Sequence, residues 1–179
     1  MAPTGSSMPP ATLDFDVRGR HVRLRGPAPG DMGRVVGRHG ALYFEEYGWD
    51  WTFEALVAQV ASEFVLKFKP ERERCWIAEL DGVVVGSTFV VEKSADIAKL
   101  RLVYLEPEAR GFRISRLMLD AAMTFAVAAG YNRMMLWTNS NLTAARALYA
   151  GAGFTMTAEE PYRGFGHDLV GETWERALP

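Results

Sequence analysis

The chain has 179 residues, 49% of them apolar and 23% charged. These values suit one globular domain with a full-sized core and exclude disorder along the whole length. The formal net charge is -2, so no global basic field draws the chain to nucleic acid or to an anionic membrane, and neither is expected as a partner.

One cysteine, Cys75, excludes an internal disulfide framework and points to a reducing compartment, so a cytoplasmic protein is expected. Met1 to Thr12 is small, polar and proline-rich, without the basic start and apolar centre of a secretory signal. It reads as a frayed tail, residues 1–13, ahead of a single domain over 14–179. No apolar run is long enough to cross a bilayer.

His21 to Arg25 alternates and is the first predicted strand. Gly26-Pro27-Ala28-Pro29-Gly30-Asp31 breaks it, with Asp31 expected to cap a helix towards Glu46 and Thr52 to cap the next. Cys75 to Leu80 and Val83 to Glu92 flank Asp81-Gly82, a pair suited to the positive φ of a tight hairpin. Ile97 to Leu105 is a third long strand. After the loop Glu106 to Gly111 come a helix from about Ile114 to Ala129 and a short strand, Arg133 to Thr138. A helix from Thr143 to Ala152 follows, then a last strand pair, Phe154 to Ala158 with Asp168 to Glu175. The order predicts an α/β fold in which the third long strand runs parallel to the next through a helical crossover. Ligands bind at the carboxyl ends of such strands, which here means Leu105 to Ser115 and Thr138 to Asn141.

The turn after Leu105 has the makings of an anion site. Free N–H groups at a helix start point outward with partial positive charge, and Arg110, Arg113 and Arg116 add local cations. A plain connection with a solvated basic face explains the same pattern equally well. The three histidines and one cysteine are scattered without metal spacing, so no metal is expected. Cys75, Met118, Met134 and Met135 read as packing residues.

Two segments carry a family resemblance. Leu105-Glu106-Pro107-Glu108-Ala109-Arg110-Gly111 resembles the approach to the pyrophosphate loop of the GNAT acetyltransferases. Ala145 to Phe154, with Leu148-Tyr149 and Gly153-Phe154, is similar to that family's later helix motif. The resemblance spans His21 to the C-terminus. It is strongest with the acetyltransferase halves fused to MarR-type regulators, through Glu46 to Asp50, Leu136 to Ser140 and Gly166 to Gly171, with no DNA-binding half expected here. It implies a GNAT fold, a mixed sheet of six or seven strands flanked by about four helices.

It also implies acetyl-CoA, or another acyl-CoA, as co-substrate and a small-molecule or peptide amine as acceptor, in a monomer or homodimer. The implied cofactor residues are Tyr104 and Leu105 at the strand end, then Arg110, Gly111, Phe112, Arg113, Ile114, Ser115 and Arg116 in the loop, with Asn139 beyond. Tyr149 corresponds to the acid that protonates the departing thiolate. Glu46 is the candidate base, in a segment where Tyr47 and Trp49 suit an organic ammonium. His167 is a further candidate for the acceptor.

The loop departs from the family pattern at Arg113, where glycine is usual. An arginine there either swings outward and adds charge or fills the phosphate pocket. Three readings stay open: an N-acyltransferase, a GNAT-fold binding protein that has lost catalysis, and an acyltransferase with another acceptor or a carrier-bound donor.

Overall fold

The computed structural model describes residues 12–179, so the predicted tail lies almost wholly outside it. Eight strands form one mixed sheet in the order β1-β2-β3-β4-β5-β6-β8-β7. The extra strand is β1, Leu13–Val17, whose Leu13, Phe15 and Val17 point inward between two outward aspartates. It pairs with β2, Arg20–Arg25. Next come α1, Asp31–Tyr47, α2, Trp51–Lys67, and the meander β3, Arg74–Leu80, β4, Val83–Glu92, and β5, Ile97–Leu105. The remainder is α3, Ile114–Ala128, β6, Arg133–Asn139, α4, Thr143–Gly151, and a hairpin of β7, Thr155–Gly164, and β8, His167–Ala177. Strand β7 is twice the predicted length, because it is an exposed edge strand whose polar residues and Pro161 hide its period.

Both helix caps differ from expectation. Asp31 is the first residue inside α1 and nearly buried, its carboxylate pairing with Arg25 at 2.6 Å and accepting from the Ala28 N–H. The α2 cap is Asp50, which accepts from the N–H of Thr52 at 2.9 Å. An aspartate two residues ahead outcompetes the threonine because a carboxylate accepts more strongly than a hydroxyl.

The helices cover opposite faces of the sheet. Residues of α3 and α4, including Ile114, Met118 and Tyr149, share one core cluster with Ala98, Leu100 and Leu136. Val35, Leu42 and Phe64 of α1 and α2 share the other with Cys75, Phe89 and Tyr104.

A change of parity in β5 positions the site. Ser87 pairs with Tyr104, but Phe89 pairs with Arg101, so β5 carries one extra residue. Leu102 sits there at φ 48, and its carbonyl accepts from the Ser87 hydroxyl at 2.8 Å. Such a bulge exchanges the faces of everything beyond it. Ala98 and Leu100 face α3, whereas Leu102 and Tyr104 face α1 and α2. Meanwhile β5 and β6 pair in parallel only from Ile97–Arg133 to Lys99–Met135 and then separate, which opens the sheet at their carboxyl ends.

Candidate active site

The opening is a cavity of about 880 Å³. Ser115, Arg110, Tyr149, Tyr104, Leu105, Asn139, Glu46, Tyr47 and Trp49 all line it. Residues from both ends of the sequence prediction therefore meet in one space. Gly111, Phe112, Arg113, Ile114, Arg116 and His167 do not line it.

On the α3 side the backbone supplies the chemistry. No side chain caps α3, and its first turn has no acid, so the N–H groups there are free to meet an anion. Arg113 stands at the cap with φ 59 and ψ 14, in the left-handed region that favours glycine. The conformation a glycine would take easily is thus kept by a residue that strains to hold it. Its side chain is exposed and does not fill the cavity. Ile114 is fully buried beneath the turn, and Phe112 packs on the same core with the Arg20 guanidinium over its ring. Arg116 turns away to Asp120 and the Gly151 carbonyl.

Tyr149 is 6% exposed, and burial pushes its phenol up to about 12. The proton therefore stays on oxygen at neutral pH. Among the described residues its hydroxyl makes no hydrogen bond, although the side chain lines the cavity. Arg110, also in the lining, donates to Glu46 at 2.5 Å, tying the turn before α3 to the end of α1. Asn139 is buried, and its Oδ1 accepts from the Tyr162 hydroxyl at 2.8 Å.

The opposite side is a wall of rings. Tyr43 lies 5.1 Å from Trp49 and 4.6 Å from Phe53, and Phe165 lies 4.8 Å from Trp49, all between ring centroids. Tyr162 and Trp137 extend the row at 6.3 and 5.5 Å. The turn between β7 and β8 brings Phe165 there, held by the Asp50 N–H donating to the Phe165 carbonyl. His167 completes that attachment by donating to the Gly48 carbonyl at 2.9 Å, which places it behind the wall and not in the cavity. The Trp49 indole N–H is buried without a partner.

His39 begins the wall and escaped the sequence reading. It is 2% exposed, its Nδ1–H donates to the Val35 carbonyl at 2.8 Å, and burial lowers its pKa to about 4. The ring is therefore neutral, with the lone pair on Nε2 left to the cavity that His39 lines. Tyr104 meets it edge-on at 4.8 Å and carries a buried hydroxyl without a partner, its phenol pushed up to about 12 by burial. The signal was available: His39, Tyr43 and Tyr47 are spaced by four and stack along one face of α1. The side of the sheet that Tyr104 faces had no signal, because it depends on the bulge.

The model of the Acetyltransferase (GNAT) family matches residues 40–154, from within α1 to the residue before β7. The chain belongs to this family. It is a GNAT acyltransferase, and the reaction is acyl transfer from an acyl-CoA. An uncharacterized N-acetyltransferase of Schizosaccharomyces pombe is 28% identical over 122 residues, covering 67% of this chain and 73% of its own. Among solved folds, a Salmonella typhimurium protein determined with its cofactor acetyl-CoA has 20% identity and a TM-score of 0.68, over 88% of this chain and 94% of its own. The ribosomal-protein-alanine N-acetyltransferase of Brucella melitensis has 18% identity and a TM-score of 0.69, over 87% and 99%. These two likenesses bear on the GNAT fold. Among the described residues no group of three His, Cys, Asp or Glu could hold a metal, and no helix is long and apolar enough to cross a membrane.

Proposed function

We propose that this enzyme transfers an acetyl group from acetyl-CoA to the amine of a small molecule or peptide. The observation that carries the reading is one continuous cavity, from the uncapped start of α3 to the aromatic wall, with the unpartnered Tyr149 hydroxyl between. The residues fit coenzyme A. The α3 N–H groups and Ser115 suit a diphosphate, and the exposed Arg113 leaves room while adding charge. Arg113 stands where the resemblance expects glycine, and it takes the left-handed conformation that glycine favours. This favours an active enzyme over a binding protein with a remodelled pocket.

The thioester supplies an activated acyl carbon, and the chain's residues handle the protons. The amine nitrogen bonds to that carbon, the carbon–sulfur bond breaks, and sulfur leaves with the electron pair. Tyr149 donates its phenolic proton to the sulfur and regains one from solvent. The N–H groups at the end of β5, at Tyr104 or Leu105, polarise the carbonyl oxygen. The proton lost by the amine has two acceptors on the wall, the Glu46 carboxylate and His39 Nε2. Glu46 is already engaged by Arg110, while burial makes the unengaged His39 nitrogen a weak base. The aromatic faces hold the acceptor's ammonium, which loses a first proton to solvent before its nitrogen attacks; the proton passed to the wall is the second, lost once the carbon–nitrogen bond has formed.

The reading is tested by titrating acetyl-CoA calorimetrically into wild type and Arg113→Gly, then assaying thiol release with a panel of amines. Binding by both proteins and amine-dependent release are expected. Binding by the glycine variant alone would show that Arg113 blocks the pocket.

A further inference from the structure

Of the twenty lysines and arginines, four are partly buried without an ion pair, and two of these four have no other polar or ring partner either. Lys99 and Arg101 make no hydrogen bond or ion pair among the described residues. Other cations without an ion pair are exposed, apart from Arg74, which lies over the Phe125 ring, and Arg176, which donates to the Ala152 carbonyl. Lys99 and Arg101 are two apart on β5, before the bulge, so they share one face of the sheet. That face is opposite to Ala98 and Leu100, and it is the face with the aromatic wall. Both side chains line the cavity, as does Trp137 across the opening. Trp137 is fixed there by Gly171, where a Cβ would come within 2.5 Å of the indole.

Two neighbouring, half-desolvated cations are costly in a protein that pairs most of its other charges. Burial lowers the pKa of each, and their mutual repulsion lowers that of Lys99 further, with Lys93 adding to it. One carboxylate reaches Arg101 electrostatically, that of Glu63 on α2, but it forms no ion pair and instead accepts from Gln59 at 3.0 Å. The pair is therefore incomplete within the chain, inside the space where the acceptor must lie.

We infer that Lys99 and Arg101 bind an acid group on the acceptor, so that the substrate is a free amino acid, or a similarly small amine carrying a carboxylate. This rests on the acetyl-transfer reading and narrows it. The carboxylate would sit between the two cations and the amine against the rings, an arrangement that rejects uncharged amines by leaving both cations unpaired.

The test compares each α-amino acid with its carboxamide, which keeps the amine and removes the charge, using acetyl-CoA and thiol release. Wild type should favour the acids by about 10-fold or more in kcat/KM, with the preference carried by KM. Arg101→Gln and Lys99→Gln should bring the acid-to-amide ratio towards one, and Arg101→Lys should restore most of it. Calorimetric binding of acetyl-CoA verifies that each variant is folded. Amides accepted as well as acids, or no amino acid accepted by a wild type that binds acetyl-CoA, would overturn the inference while leaving acetyl transfer intact. Aminomethylphosphonate preferred over glycine would overturn the choice of carboxylate. A wild type unable to bind acetyl-CoA would defeat the transfer reading itself.

Discussion

The two sides of the cavity are built on different principles. The α3 side uses main chain: an uncapped helix start, a left-handed residue and a few nearby arginines, all within residues 110–116. The aromatic side uses side chains from segments far apart, His39 and Tyr43 on α1, Trp49 and Phe53 at the start of α2, and Phe165 from the last turn. A backbone device tolerates substitution as long as φ and ψ are kept, and Arg113 takes the left-handed conformation that glycine favours. A side-chain device has no such tolerance, and its selectivity can change one residue at a time.

The largest test removes the group between the two sides. Tyr149→Phe should lower kcat by roughly 1000-fold with acetyl-CoA affinity nearly unchanged, because a general acid contributes about that much. Single-turnover rates with calorimetry decide it, and an unaltered rate would take Tyr149 out of the chemistry.

The aromatic side should show its own dependence on pH. His39 has a native pKa of about 4, below the ordinary 6.5, so the unfolded chain binds its proton first. Its contribution is complete above pH 6.5 and falls as the pH drops towards 4, a loss of about 3 kcal/mol from this group. Urea denaturation from pH 7 to 4 should give a flatter profile for His39→Gln than for wild type.

The backbone side should answer weakly to side-chain change. Arg113→Gly relieves a left-handed side chain worth ~1 kcal/mol, partly offset by the greater freedom of unfolded glycine. Stability should change by less than about 1 kcal/mol. Coenzyme A affinity should stay within about fivefold, since the lost charge is a solvated one. A collapse of affinity would show that the arginine had become part of the recognition. Smallest of all, Tyr104→Phe deletes a buried hydroxyl that has no partner, and melting should show it neutral or more stable by up to ~1 kcal/mol.

Backbone and side-chain devices also differ in how they are written into a sequence. Asp81-Gly82 announces the β3–β4 hairpin, and residues 105–111 announce the turn before α3, because both features are local. The resemblance singled out Tyr149 and Glu46, and both line the cavity. The Leu102 bulge has no local signature, so the side of the sheet that Tyr104 takes, and with it the relation of Lys99 and Arg101 to the wall, could not be read from alternation. Strand β1 was hidden by the proline-rich stretch before it. His167 looked like a site residue because it is a histidine near the end of a resemblance, yet its ring serves a backbone carbonyl of residue 48.

The last turn is fastened to Gly48 and Asp50. Among the described residues, two hydrogen bonds and the stacking of Phe165 join this turn to the rest of the chamber. Residues 163–168 lie outside the cavity lining, so an exchange of this turn would act on the chamber only through the seating of Trp49 and Phe53, which Phe165 packs against.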